Sequence, residues 1–98
     1  MALNVLGHDA DALRDFDQAL NLDPDFTDVL LRRASRRSAL GDKVGALVDY
    51  DRAVRSKQHD PAVLEARAYF YLATGDAERA AADFDAALGL RGPADPAV

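Results

Sequence analysis

The 98-residue chain has no cysteine and no tryptophan, a single methionine, and only two lysines and two glutamates. The missing thiols exclude a disulfide framework, a thiolate metal site and a thiol nucleophile, and leave a reducing compartment open. Aromatic residues make up only 7% of the chain, and isoleucine is absent. With alanine supplying much of the 49% apolar share, close helix packing is expected rather than a broad sheet core. No window approaches the roughly 20 apolar residues of a membrane span. The opening "MALNVLGHDADAL" has neither a basic start nor a long apolar stretch. No membrane association and a cytoplasmic location are therefore the expectation. A net charge of −5 argues against nucleic acid as a partner, because phosphate neutralisation needs clustered Lys and Arg. Ten arginines against two lysines, and fifteen aspartates against two glutamates, read as a compositional bias rather than a function.

What the chain does have is a period. The cluster "DFDQAL" at 15–20 returns as "DYDRAV" at 49–54 and "DFDAAL" at 83–88, each step being 34 residues. Ala12, Ala46 and Ala80 align, as do Phe16, Tyr50 and Phe84, and then Ala19, Ala53 and Ala87. Offsets of i, i+4 and i+7 put small, large and small side chains on one helix face, where a second helix can come close. A second set alternates with the first. Val29, Leu30, Arg33, Ala34 and Arg37 recur as Val63, Leu64, Arg67, Ala68 and Tyr71. The chain thus reads as all-α, built from tandem antiparallel helix pairs of 34 residues. "LGD" at 40–42 and "TGD" at 74–76 are the turns inside pairs, with Gly at a left-handed position and Asp capping the next helix. "GHD" at 7–9 is a weaker version of the same turn, and Asp60 before Pro61 fits an N-cap and first helical residue. The spacing predicts a short helical segment at 2–6 and helices near 9–22, 26–40, 43–57, 61–74 and 77–90. These form one domain over 1–92, comprising a partial repeat 1–26, repeats 27–60 and 61–92, and a frayed tail at 93–98.

This pattern resembles the tetratricopeptide repeat family, whose unit is W-x2-L-G-x2-Y, then A-x3-F, then P. Leu30 and Leu64 stand at the Trp position, Ala34 and Ala68 at the Gly, Tyr71 at the Tyr, and Pro24 at the closing Pro. Ala12 with Phe16, Ala46 with Tyr50 and Ala80 with Phe84 match the second-helix signature. Arg33 and Arg67 replace a buried Leu, Arg37 a Tyr and Gln58 the Pro, and most of the first helix of the first unit is missing. The resemblance implies a short right-handed α-solenoid whose first helices line a concave groove that takes peptides or helices.

On helical wheels Asp15, Asp49 and Asp83 sit beside the packing face, and Asp17, Asp51 and Asp85 point toward solvent. Arg33 and Arg67 lie on a packing face, where a half-buried arginine requires a carboxylate. An ion-pair ladder is expected, Arg33 with Asp15 or Asp49 and Arg67 with Asp49 or Asp83. Arg37 also faces inward. Arg32, Ser35 and Arg36, with Tyr69, are the expected partner-binding residues of the groove, since Arg and exposed aromatics dominate binding hot spots. The bland alternative is that Arg32 and Arg36 form a solvated face and Tyr69 packs between units. The Lys and Asn clamp of the family's chaperone-binding members is replaced by Leu31, Ser35, Glu65 and Tyr69. His8 and His59 fall in expected turns with no metal-ligand spacing, and the repeated aspartates lack the single tuned constellation of an active site. The expectation is a non-catalytic interaction module without metal or cofactor, binding a protein or peptide, acidic ones included. The alternative is a structural unit that forms homo-oligomers through its open ends.

Overall fold

In a computed structural model, the described residues are 2–57 and 59–92, with side chains from residue 11 onward. They form five helices and no strand: α1 (Ala2–Leu22), α2 (Thr27–Ala39), α3 (Lys43–Ser56), α4 (Pro61–Ala73) and α5 (Ala77–Arg91). Gln58 and the tail expected at 93–98 lie outside the described residues. The chain divides into two compact units, Met1–Ser56 and Lys57–Val98. In the first, α1 packs on α2 and α2 on α3; in the second, α4 packs on α5. No helix among the described residues is long and apolar enough to cross a membrane.

The helix faces follow the small-large-small columns of the sequence. Leu30 and Ala34 on α2, and Ala46, Tyr50 and Ala53 on α3, are all buried where these two helices pack. Leu64, Ala68 and Tyr71 on α4, and Ala80 and Ala87 on α5, are likewise buried in the second pair. A fully buried leucine such as Leu30 contributes about 1.5–3 kcal/mol. The alanines contribute less area but let the helix axes approach, so side chains of the large columns interlock.

Each pair is closed by the same turn. Gly41 N–H donates to the Ser38 carbonyl at 3.0 Å and Asp42 N–H to that of Arg37 at 2.8 Å. This is a Schellman ending, and it requires the left-handed conformation that Gly41 adopts, φ 89°. Asp42 then turns its carboxylate to the following helix, accepting from Gly45 N–H at 2.9 Å. In the second unit Gly75, φ 86°, and Asp76 repeat the pattern: Gly75 N–H to Leu72 at 3.1 Å, Asp76 N–H to Tyr71 at 2.8 Å, and Arg79 N–H to the Asp76 carboxylate at 3.2 Å. Asp60 caps α4 through Ala62 N–H at 3.0 Å, with Pro61 as its first residue.

One expectation fails. Residues 7–9 do not turn; they lie inside the continuous 21-residue α1, and His8 is therefore helical. In the two true turns an Asp follows the Gly directly, whereas His8 intervenes before Asp9, so the capping carboxylate is displaced by one position. Without that cap, a glycine inside a helix costs only about 1 kcal/mol and the helix runs on.

Two glycines on one hairpin separate the conformational role from the propensity effect. Gly75→Ala forces a Cβ into the left-handed region and should lower the unfolding free energy by about 1–2 kcal/mol. Gly89, inside α5 with open space around its Cα, should gain up to about 1 kcal/mol as alanine. Urea denaturation of the two variants checks both signs.

Candidate interaction surfaces

The most ordered polar feature lies between the helices of each pair. Arg33 of α2 donates from Nε and Nη2 to the two carboxylate oxygens of Asp49 on α3, at 2.9 and 2.8 Å. Arg67 of α4 grips Asp83 of α5 through the same atoms, at 2.7 and 2.8 Å. Planar guanidinium matches planar carboxylate, which fixes the rotation of both helices as well as their separation. The Asp49 side chain is only 1% exposed, and among the described residues no buried polar side-chain atom lacks a partner. The bonds to Asp49 hold the Arg33 guanidinium above its ordinary pKa; burial opposes them, and Asp17 adds to them.

The partner of Arg33 on α1 is Asp17, at 2.9 Å, and not Asp15, which is exposed. The reason is geometric. Asp49 and Asp83 face the helix that precedes them in their own hairpin, whereas among the described residues α1 packs only on the helix that follows it. Asp15 therefore has no partner among the described residues, and Asp17, expected to point to solvent, reaches α2. The two hairpins differ beside this clasp. Arg37 adds a second cation to Asp49 at 3.2 Å, whereas its counterpart Tyr71 lies under the guanidinium groups of Arg67 and Arg79, 5.8 and 5.9 Å from the ring centre.

The segment "RRASRR" is thereby divided: Arg33 and Arg37 turn inward to Asp49, while Arg32, Ser35 and Arg36 are exposed on α2. Tyr69 is exposed on α4 and stacks edge to face on Phe84 of α5, ring centres 5.2 Å apart. Phe70, its neighbour, is buried. His59 lies in the turn before α4.

The clefts were not legible in the sequence, and two of them adjoin the residues described above. One, of about 600 Å³, lies in the first unit and is lined by Asp17, Leu20, Pro24, Arg33, Arg37 and Arg52. Its guanidinium groups are already engaged, Arg52 by Asp25 at 3.3 Å. The other, of about 340 Å³, lies in the second unit beside Tyr69, Phe84, Asp85 and Leu88, with the Arg91–Glu65 ion pair at its edge. Arg52 and Arg91 escape a helical-wheel reading because both reach carboxylates more than 25 positions away. Among the described residues, no group of three or more His, Cys, Asp or Glu could hold a metal ion.

Comparison with known proteins finds no family model that matches the chain and no curated protein that matches it significantly.

Burial distinguishes the two carboxylates on Arg33. Asp49→Asn leaves Arg33 and Arg37 facing a neutral amide and should cost about 3 kcal/mol. Asp17, whose side chain is 55% exposed, should cost less than about 1 kcal/mol as Asn. Chemical denaturation of the pair gives the comparison.

Tyr50 supplies a pH test. Burial pushes its phenol above the ordinary value of 10.0, with the Asp49 charge adding to the effect. Below that ordinary value the phenol is neutral in both states and contributes no pH dependence. From pH 10.0 up to the raised folded value, the unfolded chain releases a proton that the folded chain keeps, so stability falls as pH rises. Tyr50→Phe should flatten that decline, measured as urea midpoint against pH relative to the unsubstituted chain.

Proposed function

We propose that the chain is an interaction module of tetratricopeptide type, its helix pairs being 34-residue units of a short right-handed solenoid, and that it binds a peptide or helix of a partner protein. The observation that carries the reading is the division of α2. Arg33 and Arg37 turn inward to Asp49, and Arg32, Ser35 and Arg36 are exposed on the same helix, on a chain whose net charge is −5. Exposed arginines on a helix of a chain with net negative charge are suited to select a carboxylate-bearing peptide and to reject longer polyanions. Tyr69 on α4 offers an aromatic contact of the kind that anchors peptides. No catalytic group, metal or cofactor enters this reading.

A second reading has its own observation. Val44 and Val48, one helical turn apart on α3, are both exposed. Such a stripe suits self-association into a structural assembly.

Arrayed acidic and neutral peptides, followed by titration calorimetry on the best binder, test the first reading. Arg32→Glu with Arg36→Glu should weaken capture by at least about tenfold while molar mass and urea midpoint stay the same. Unchanged affinity in the double variant sinks the groove assignment. Concentration-dependent growth in molar mass, abolished by Val44→Asp with Val48→Asp, moves the function to assembly.

A further inference from the structure

Residues 16–20 and 84–88 carry one pattern, Phe-Asp-x-Ala-Leu, on α1 and on α5. Their surroundings differ. On α1 the pattern lies against α2: Asp17 accepts from Arg33 at 2.9 Å, and Leu20 is only 8% exposed. On α5 the helix α4 takes the neighbouring face, with Asp83 and Ala87 turned toward it. The face bearing Asp85 and Leu88 has no helix over it in the second unit. Leu88 is 64% exposed, and Asp85 makes no hydrogen bond or ion pair among the described residues. With Tyr69 and Phe84, these two side chains line the open cleft of about 340 Å³, whose other charged groups are the paired Glu65 and Arg91.

We propose that this face of α5 is a docking site for an amphipathic helix of another polypeptide, one whose apolar stripe carries an arginine as Leu30, Arg33 and Ala34 do on α2. Charge complementarity selects the occupant. Asp85 is an exposed carboxylate beside apolar surface, and its counterpart Asp17 meets a guanidinium. A helix bearing a carboxylate at that position would face Asp85 and be rejected. An all-apolar helix would cover Leu88 and the Tyr69–Phe84 pair but strip water from Asp85 without replacing its hydrogen bonds. An arginine three residues after a leucine satisfies both: the leucine covers apolar surface and the guanidinium reaches the carboxylate. This surface is separate from Arg32 and Arg36 and does not depend on the peptide-binding role proposed for them.

The intact chain and a fluorescein-labelled synthetic peptide of residues 26–42 provide the test, read by anisotropy. Binding should saturate, and two variants should each weaken it by at least about tenfold: Asp85→Arg because the reversal sets like charges together, and Leu88→Asp because it puts a charge where the peptide's leucine would cover apolar surface. Both positions are exposed, so the substitutions leave folding intact, as circular dichroism verifies. The chain with Asp85→Arg should regain affinity for a peptide carrying Arg33→Asp. A version of the peptide stapled on its solvent side removes the difficulty that a short helix is marginal in water. If the stapled peptide does not bind, or binds equally to the chain with Asp85→Arg, the proposal is overturned. A dimer of the chain alone that dissolves on Asp85→Arg names a second copy as the occupant and overturns the assignment to a foreign helix.

Discussion

A bidentate arginine–aspartate bond, buried between two alanine-rich helices, is the constraint on which each hairpin depends. Alanine columns allow close approach but say little about rotation, because small side chains slide past one another at little cost. The Arg33–Asp49 and Arg67–Asp83 pairs remove that freedom: an orphaned carboxylate in the interior costs several kcal/mol, so registers that separate the partners are penalised. Their net contribution to stability need not be large. They act by making the alternatives worse, and the Schellman turns at Gly41 and Gly75 act with them, since each turn sets where the second helix begins.

The same bond explains why an aromatic residue is flanked by aspartates on both sides. On α3 and α5 the first Asp of the cluster faces the helix before it. On α1 the second Asp faces the helix after it. One three-residue cluster can therefore address two neighbours from a single helix. Aspartate suits this because its short side chain holds the carboxylate close to the backbone, leaving little rotamer freedom to lose. The cost is a modest loss of helix propensity at each position.

Much of this was legible in the sequence. Four of the five helices have boundaries within two residues of those read from periodicity, and Arg33 and Arg67 each have a partner among the alternatives that the helical wheel allowed. What escaped has physical reasons. The turn at 7–9 failed because a repeat alignment matched Gly7 and ignored the displaced cap at Asp9. Asp15 was preferred over Asp17 because a wheel ranks positions against an average packing face, and α1 packs on a different side from α3. The clefts were invisible because they depend on which side chains are left uncovered after packing, a tertiary property with no period. The exposure of Arg32, Ser35, Arg36 and Tyr69 agrees with the wheel, since opposite faces of one helix separate cleanly when the buried stripe is strong.

The clasps join residues 16 positions apart, and the turns bond residues three to five apart. Everything that defines a hairpin therefore sits within a short span of chain. Loop closure over such a span is entropically cheap and takes well under a microsecond. Helical chains with contacts this local collapse to their native pairing in microseconds to milliseconds. During synthesis a hairpin of this kind can close as soon as its second helix emerges, before distant segments exist to compete for it. A hairpin closed in the wrong register would leave a buried charge uncompensated, so the ion pair penalises mispaired closures as well as mispacked helices.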